Sequence, residues 1–350
     1  MEHVSLIALA NKVQTEADAY LYMEALRWGD TPVCPHCGST HVSYIRPLNG
    51  ESRKTRTGSV SQRRVWKCQA CVGRKQFSVL TGTVFHGSKI SVKTWLFVIF
   101  EMCASKNGVS AREIERKYDL TAKTAWFMLH RIREAMVREP LAGMLGGNGG
   151  NGGNGGTVVA DETFVGGSVK RMNNKRRTAA EKPAKLMPGG PKLGGPAWNK
   201  TSVLSLVDTT TGEVRSQVVR DVTGATLRKA IAEQVDMAGT VLHTDEAKAY
   251  NAVGAEFMAH ETVNHSEGEY VRKTAGRKIT SNQAENFFSQ LKRSIDGTHH
   301  KVSAVHLHRY LAEFDFRHTT RTVNDSTRMG MLMGQTGDRR LTYRPLTGRG

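Results

Sequence analysis

No run of 18 or more consecutive apolar residues occurs in this 350-residue chain, so no segment reads as a membrane-spanning helix. The first residues, MEHVSLIALANKVQTEADAY, carry acids and lack the basic start of a secretory leader. A cytoplasmic protein without membrane partners is therefore expected. Cysteine is scarce, five in all, and in that setting structural disulfides are disfavoured. Acidic residues are in deficit too, 32 Asp and Glu against 50 Lys and Arg, which leaves a formal charge of +18. A surplus of that sign suits a polyanion and is screened steeply by salt. General disorder is excluded, because 39% of the residues are apolar, enough for two or three domains with cores of their own.

Against that background three short segments each deliver one carboxylate from an apolar setting: VVADETF at 158–164, VLHTDEA at 241–247 and NQAENFF at 282–288. Asp161 and Asp245 each end a β-type apolar run, where an ionised group is costly unless it meets a cation or a partner. Glu285 falls on a helix. Converging, the three make an all-oxygen site for magnesium or manganese, the ions that drive in-line displacement at phosphodiesters. Glu162 and Glu246 alternate to the opposite side if their segments are extended, while Glu267 and Glu269 are rival third ligands. Helical spacing buries Ala284, Phe288, Leu291 and Ile295 and sends Glu285, Ser289 and Lys292 along the flank. Lys292, with Arg293, is then expected to contact a phosphate near the scissile bond.

Four of the five cysteines form two CxxC knuckles, Cys34/Cys37 and Cys68/Cys71, with 30 residues between them. Such a pair completes a tetrahedral four-thiolate shell for zinc, which has no open position for water and is structural. His36, inside the first knuckle, reads as a bystander, and Cys103 as a buried thiol in an apolar helix. The insert between the knuckles holds Arg46, Arg53, Lys54, Arg56, Arg63, Arg64 and Lys67 against Glu51, a pattern that suits phosphate contact.

From Ser91 to Val137 the pattern turns helical. VKTWLFVIFEMCA is apolar; SAREIERKY, capped by Ser110 and Glu113, and AKTAWFMLHRIREAM then read as helix-turn-helix. A stripe of Trp126, Leu129, Ile132 and Met136 leaves Lys123, Thr124, Arg131 and Arg133 outward, with Lys123 and Arg131 as candidate DNA contacts. A Gly/Asn-rich tether follows, and beyond it the order strand, basic loop, strand, strand, helix, strand and helices is that of an RNase H-like α/β fold. The loop from Lys170 to Lys200 holds nine basic residues and one acid, with Arg176 and Arg177 as DNA candidates. His299, His300, His306 and His308 are read as loop and core residues. The resulting domain scheme is helix plus ribbon at 1–87, helix-turn-helix at 88–140, tether at 141–157, catalytic domain at 158–335 and a basic tail at 336–350.

The stretches CPHCGS, the second CxxC, ADETFVGG, HTDEAKAY, TVNHSEGEYV and the run from ENFFSQLKR to DFRHTTR resemble the DDE insertion-sequence transposases with an N-terminal zinc ribbon, the ISXO-two-like domain type. The likeness implies that Asp161, Asp245 and Glu285 bind catalytic metal, with Asp161 bridging. It also implies cleavage at terminal inverted repeats, attack of the freed 3′-hydroxyl on target DNA, and a dimer or larger assembly on that DNA. One departure lies before Glu285, where Ser281-Asn282-Gln283-Ala284 stands and Thr-Asn is expected. Rival readings are a DNA-binding regulator with a dead nuclease domain and an RNase H-like nuclease that cuts without joining.

Overall fold

The computed structural model describes residues 3–46, 53–54, 60–138, 143–147, 155–166, 200–274 and 277–347. Most of the tether and of the basic loop, Arg176 and Arg177 included, lies outside the described residues. The chain divides into two compact units, Met1–Met136 with Thr322–Gly350, and Val137–Arg321.

The first unit begins with α1 (Leu6–Lys12) and α2 (Glu16–Trp28), the latter started by a reciprocal capping box between Thr15 and Asp18. A small antiparallel sheet follows in the order β1 (Val42–Tyr44), β4 (Trp66–Cys68), β5 (Gln76–Phe77), and β2 (Arg53–Lys54) pairs with β3 (Val60–Ser61) in the insert. Next comes α3 (Val92–Ala104), whose first N–H groups are met by the Glu16 carboxylate at 2.6 and 3.1 Å. Trp95, Leu96, Ile99 and Met102 are buried on α3, which makes it the core helix of the unit.

The helical pair is α4 (Ala111–Lys117), capped by the Ser110 hydroxyl, and α5 (Ala122–Met136), with the turn made by Asp119 at φ +48°. Asp tolerates that left-handed conformation because its short side chain bonds locally. The outward placement of Arg131 and Arg133 does not hold: they are 5% and 1% exposed. Arg131 donates to the His86 carbonyl at 2.7 Å and lies over the rings of Trp95 and Phe127. The helix is covered on more than one side, so the flank that an isolated hairpin would leave in water is packed here. Lys123 is exposed, with its Nζ over the Tyr343 ring.

The second unit is built on a five-stranded sheet. Two short strands, β6 (Leu145–Gly146) and β10 (Val235–Asp236), pair beside it in parallel. The main sheet contains β7 (Gly156–Val165), β8 (Thr201–Asp208), β9 (Val214–Val219), β11 (Thr240–Thr244) and β12 (Ala259–Thr262) in the order β12-β11-β7-β8-β9. β7, β8 and β9 are antiparallel in succession, while β11 runs parallel to β7 and β12 parallel to β11. Gly156, the last glycine of the tether, starts β7 against Gly146; a Cβ there would stand 2.8 Å from the Gly146 Cα.

Residues on β7 alternate between two cores. Val158 and Ala160 pack with Leu227 and Ile231 of α6 (Gly224–Ala232) and with Tyr250 and Val253 at the start of α7 (Asn251–Gly254). Val159 and Val165 pack on the other face with Ala284, Phe288 and Leu291 of α8 (Asn282–Ser294) and with Leu311 and Phe314 of α9 (Ala304–Thr319). A hairpin of β13 (Arg272–Thr274) and β14 (Arg277–Ile279) precedes α8.

On α9 Asp315 faces the edge strand β9 and accepts from the Ser216 N–H and hydroxyl, both at 2.7 Å. Burial pushes its carboxyl up to about 7 despite those bonds. A carboxyl whose folded pKa is raised stabilises the fold at low pH, and that contribution is lost as pH rises through about 7. Asp315→Asn is therefore expected to gain thermal stability relative to wild type at pH 8 and to lose that advantage as pH falls from about 7 toward the ordinary carboxylate value of 3.8. Equal pH slopes for the two proteins in differential scanning fluorimetry would contradict it.

The chain then rejoins the first unit as α10 (Asp325–Gly334) and α11 (Tyr343–Leu346). Arg328 donates to the Cys103 carbonyl at 2.7 Å, and the Val4 N–H donates to Ser326. Residues after 335 are likewise folded back: Gly337 bridges to Thr83, and the Asp338 N–H donates to Gly82 at 2.8 Å. The sequence scheme ended the catalytic domain at 335 and left a separate tail, whereas the second unit closes at Arg321. Met329, Leu332 and Met333 of α10 are buried, and this apolar face accounts for the helix joining the first unit.

Candidate functional site

The ribbon brings four sulfurs together. Among the described residues, Cys34, Cys37, Cys68 and Cys71 form a group whose ligand atoms all lie within 4.8 Å of one another. Cys34 and Cys71 are 3.8 Å apart and Cys37 and Cys68 3.6 Å, close to the ~3.8 Å that a tetrahedron with Zn–S of ~2.3 Å requires. Left-handed Gly38 and Gly73 turn the two knuckles, and the N–H groups of His36 and Cys71 point at Cys34 and Cys68. Hydrogen bonds among the sulfurs push Cys71 up to about 12; Cys68, although burial opposes it, is drawn down to about 7 by backbone N–H donors. Four thiols so placed cannot all ionise without a cation, and the donor set fits structural zinc. His36 is exposed and lies outside the group.

Trp28, Trp66 and Phe77 close the ribbon core in edge-to-face contacts. Part of the basic insert is internal to this structure. Arg64 pairs with buried Glu24 at 2.8 Å and lies over the Tyr44 ring, so the surface-phosphate expectation does not extend to it. Arg63 is exposed. Arg56 lies outside the described residues.

The three carboxylates arrive from separate elements of the second unit. Asp161 stands on β7 opposite Ser205 of β8, on the face that carries α8. Asp245 follows the last residue of β11 and accepts from the Ala247 N–H at 3.0 Å. Glu285 sits in the first turn of α8. Burial raises the Asp161 carboxyl to about 7 even though the Glu162 N–H opposes it, and the charges of Glu162, Asp245 and Glu285 add to the rise. Asp161, Asp245 and Glu285 are thus coupled through their charges. The chemistry of this donor set, all oxygen and all anionic, fits a hard divalent cation.

Glu162 turns to the opposite face, where the Tyr250 hydroxyl donates to it. Glu246 is exposed and accepts from Ser266 at 2.7 Å. Of the rival ligands, Glu269 is held by Arg272 at 2.7 Å, which draws its carboxyl down to about 2, and Glu267 is exposed. His299 packs edge-on against Tyr310 and Phe314. Two polar residues escaped the sequence reading. His265 and Ser281 meet at 2.8 Å, and the Ser281 hydroxyl donates to Glu285 at 3.1 Å. The only available signal was the quoted stretch TVNHSEGEYV and the altered lead-in to Glu285.

Beyond Glu285 on α8, exposed Lys292 and Arg293 line an open groove of roughly 780 Å³ together with Ser289, Asp296 and Gly297. The helix ends in a single π-turn, Ile295–His299, with His300 at φ +56°. Among the described residues, no helix is long and apolar enough to cross a membrane.

Known proteins share both parts of this layout. Residues 154–319 match the ISXO2-like transposase domain, which takes in all three carboxylates, and residues 14–74 match the transposase zinc-ribbon domain, which takes in all four cysteines. The chain thus carries an ISXO2-like transposase domain and, ahead of it, a transposase zinc ribbon. It is also 25% identical over 306 residues to an uncharacterized protein in transposable element ISH50 of Halobacterium salinarum, a match covering 87% of this chain and 90% of that protein. Two transposase domains imply DNA binding, and the ribbon's four cysteines are the seat of structural zinc.

Proposed function

We propose that the chain binds the terminal inverted repeats of its element and catalyses metal-dependent cleavage and transfer of the DNA strand. The observation that carries this reading is the charge coupling of Asp161 to Asp245 and Glu285. The strand order β12-β11-β7-β8-β9, three antiparallel strands extended by two parallel ones, supports an RNase H-like fold for the second unit. Asp161, Asp245 and Glu285 hold magnesium or manganese. When bound, such ions stabilise the entering and leaving oxygens of an in-line phosphoryl displacement. The protein's own part is to aim three carboxylates from two strands and one helix at a common point and to align the DNA backbone beside them.

Lys292 and Arg293 lie about two turns beyond Glu285 on the same helix, and their exposed cations are the groups that hold a DNA phosphate along this helix. Lys292→Ala is expected to weaken DNA binding, to lower the salt slope of log Kd by about 0.9, and to slow cleavage. An unchanged affinity, salt slope and cleavage rate would contradict the assignment. The ribbon and the α4–α5 pair, with Lys123 exposed on α5, read the element ends; Arg131 is withdrawn from that role by its burial. Arg176 and Arg177 remain candidates for contact with flanking or target DNA. Joining two ends calls for at least a dimer on DNA.

Incubating the purified protein with labelled element ends, a target plasmid and magnesium separates the readings. Joined products support the proposal. Binding alone would favour a regulator, and cleavage without joining a nuclease.

A further inference from the structure

A 3₁₀ turn, His265–Glu267, stands between the end of β11 and the start of α8. On one side its Ser266 hydroxyl donates to Glu246 at 2.7 Å, one residue beyond Asp245. On the other side His265 Nε2 is 2.8 Å from Ser281 Oγ and 3.5 Å from Glu285 Oε1. The direction of these bonds follows from proton count. A carboxylate only accepts, so the single Ser281 proton goes to Glu285 Oε1 at 3.1 Å, and Ser281 Oγ must accept from His265 Nε2–H.

Ser281 is the N-cap residue of α8, yet its side chain caps no backbone N–H. A serine at that position ordinarily accepts from the second or third N–H of the helix. Here, 1% exposed, it is turned instead into the chain His265–Ser281–Glu285. The Tyr270 ring meets His265 edge-on, and the Tyr270 carbonyl accepts from Thr280, which fixes the imidazole and the residue before Ser281 together.

We infer that the His265–Ser281 pair is a positioning device for Glu285, and that the turn carrying it sets the carboxylate of α8 in register with Asp245 through Glu246 and Ser266. The pair occupies Oε1 and so leaves Oε2 to a divalent cation; neither His265 nor Ser281 touches the reacting atoms. This inference rests on the metal-binding reading of Asp161, Asp245 and Glu285. Outer hydrogen bonds to ligating carboxylates characteristically change metal affinity by about 10- to 100-fold.

The test is a manganese titration of the full-length protein followed by electron paramagnetic resonance, which reads binding without turnover. Ser281→Ala and His265→Leu are expected to weaken manganese binding by about tenfold or more. Ser281→Thr keeps the hydroxyl and His265→Gln keeps a donor of similar reach, and both are expected to restore most of the affinity, which a merely space-filling role would not require. The double variant Ser281→Ala/His265→Leu should bind no more weakly than Ser281→Ala, because both act through one bond. Should His265→Leu fail to fold, the Ser281 pair decides. Asp161→Asn serves as the reference. If it abolishes binding while Ser281→Ala and His265→Leu bind like wild type, the positioning role is wrong and the metal site stands; if Asp161→Asn also binds like wild type, both fall.

Discussion

Stripping zinc from the ribbon is expected to unfold residues 34–77 and to abolish selective binding to element ends. The ribbon's core is Cys34, Cys68 and Phe77 with a rim of Trp28, Val42 and Trp66, far too little apolar surface to fold on hydrophobic burial alone. A four-thiolate zinc contributes roughly 10–16 kcal/mol of apparent folding free energy at neutral pH, so metal and structure stand or fall together. Cys68→Ser removes the most deeply placed thiolate, leaving an orphan position in a shell that has no spare ligand. The variant should release its zinc, become open to trypsin at Arg63, Arg64 and Lys67, and lose its preference for element ends over random DNA. Since selective binding commonly exceeds non-selective by about 10³-fold or more, the loss should be at least of that order. A Cys68→Ser protein that resists trypsin and still selects element ends would contradict the structural role.

Asp161→Asn is expected to lower the rate of end cleavage by about 10³-fold or more while leaving DNA binding intact. The amide matches the carboxylate in size but removes the charge that a divalent ion needs, and loss of several kcal/mol of transition-state stabilisation corresponds to that factor. Stability should move the other way. Asp161 sits half-buried among three other carboxylates, so the substitution removes repulsion as well as desolvation cost. Without metal the variant should melt no lower than wild type, and magnesium should raise the melting temperature of wild type only. A structural aspartate would show the opposite: a lower melting temperature and a cleavage rate reduced in proportion to unfolding.

The parts of this arrangement that were legible in the sequence are those fixed by local pattern. CxxC spacing brings the sulfurs of each knuckle together in a single turn, and the α4 and α5 boundaries follow from the Ser110 cap and a continuous helical period. Asp161 was visible because a run of β-branched residues ends on it, and the alternation that turns Glu162 away is a property of any strand. What was hidden depends on partners distant in sequence. Strand β12, AHET, has no alternation and is half-buried throughout; parallel pairing to β11 defines it. Arg131 read as solvent-facing because its cover comes from residues 86 and 95, outside α5. α10 looked like an extension of the catalytic domain because nothing local marks where its apolar face docks. The His265–Ser281 contact joins residues 16 apart across a hairpin, and histidine in a polar loop carries no periodic signal.

Among the three carboxylates, Glu285 rests on a helix face and an altered lead-in, and Glu267 was its rival within the His265 turn. The most direct measurement is therefore manganese-supported cleavage of a labelled element end by Glu285→Gln and Glu267→Gln, with DNA binding measured in parallel. Glu285→Gln should bind the end and fail to cut it, and Glu267→Gln should cut like wild type. A Glu285→Gln protein that cuts normally, or a Glu267→Gln protein that binds without cutting, would contradict the assignment of the site.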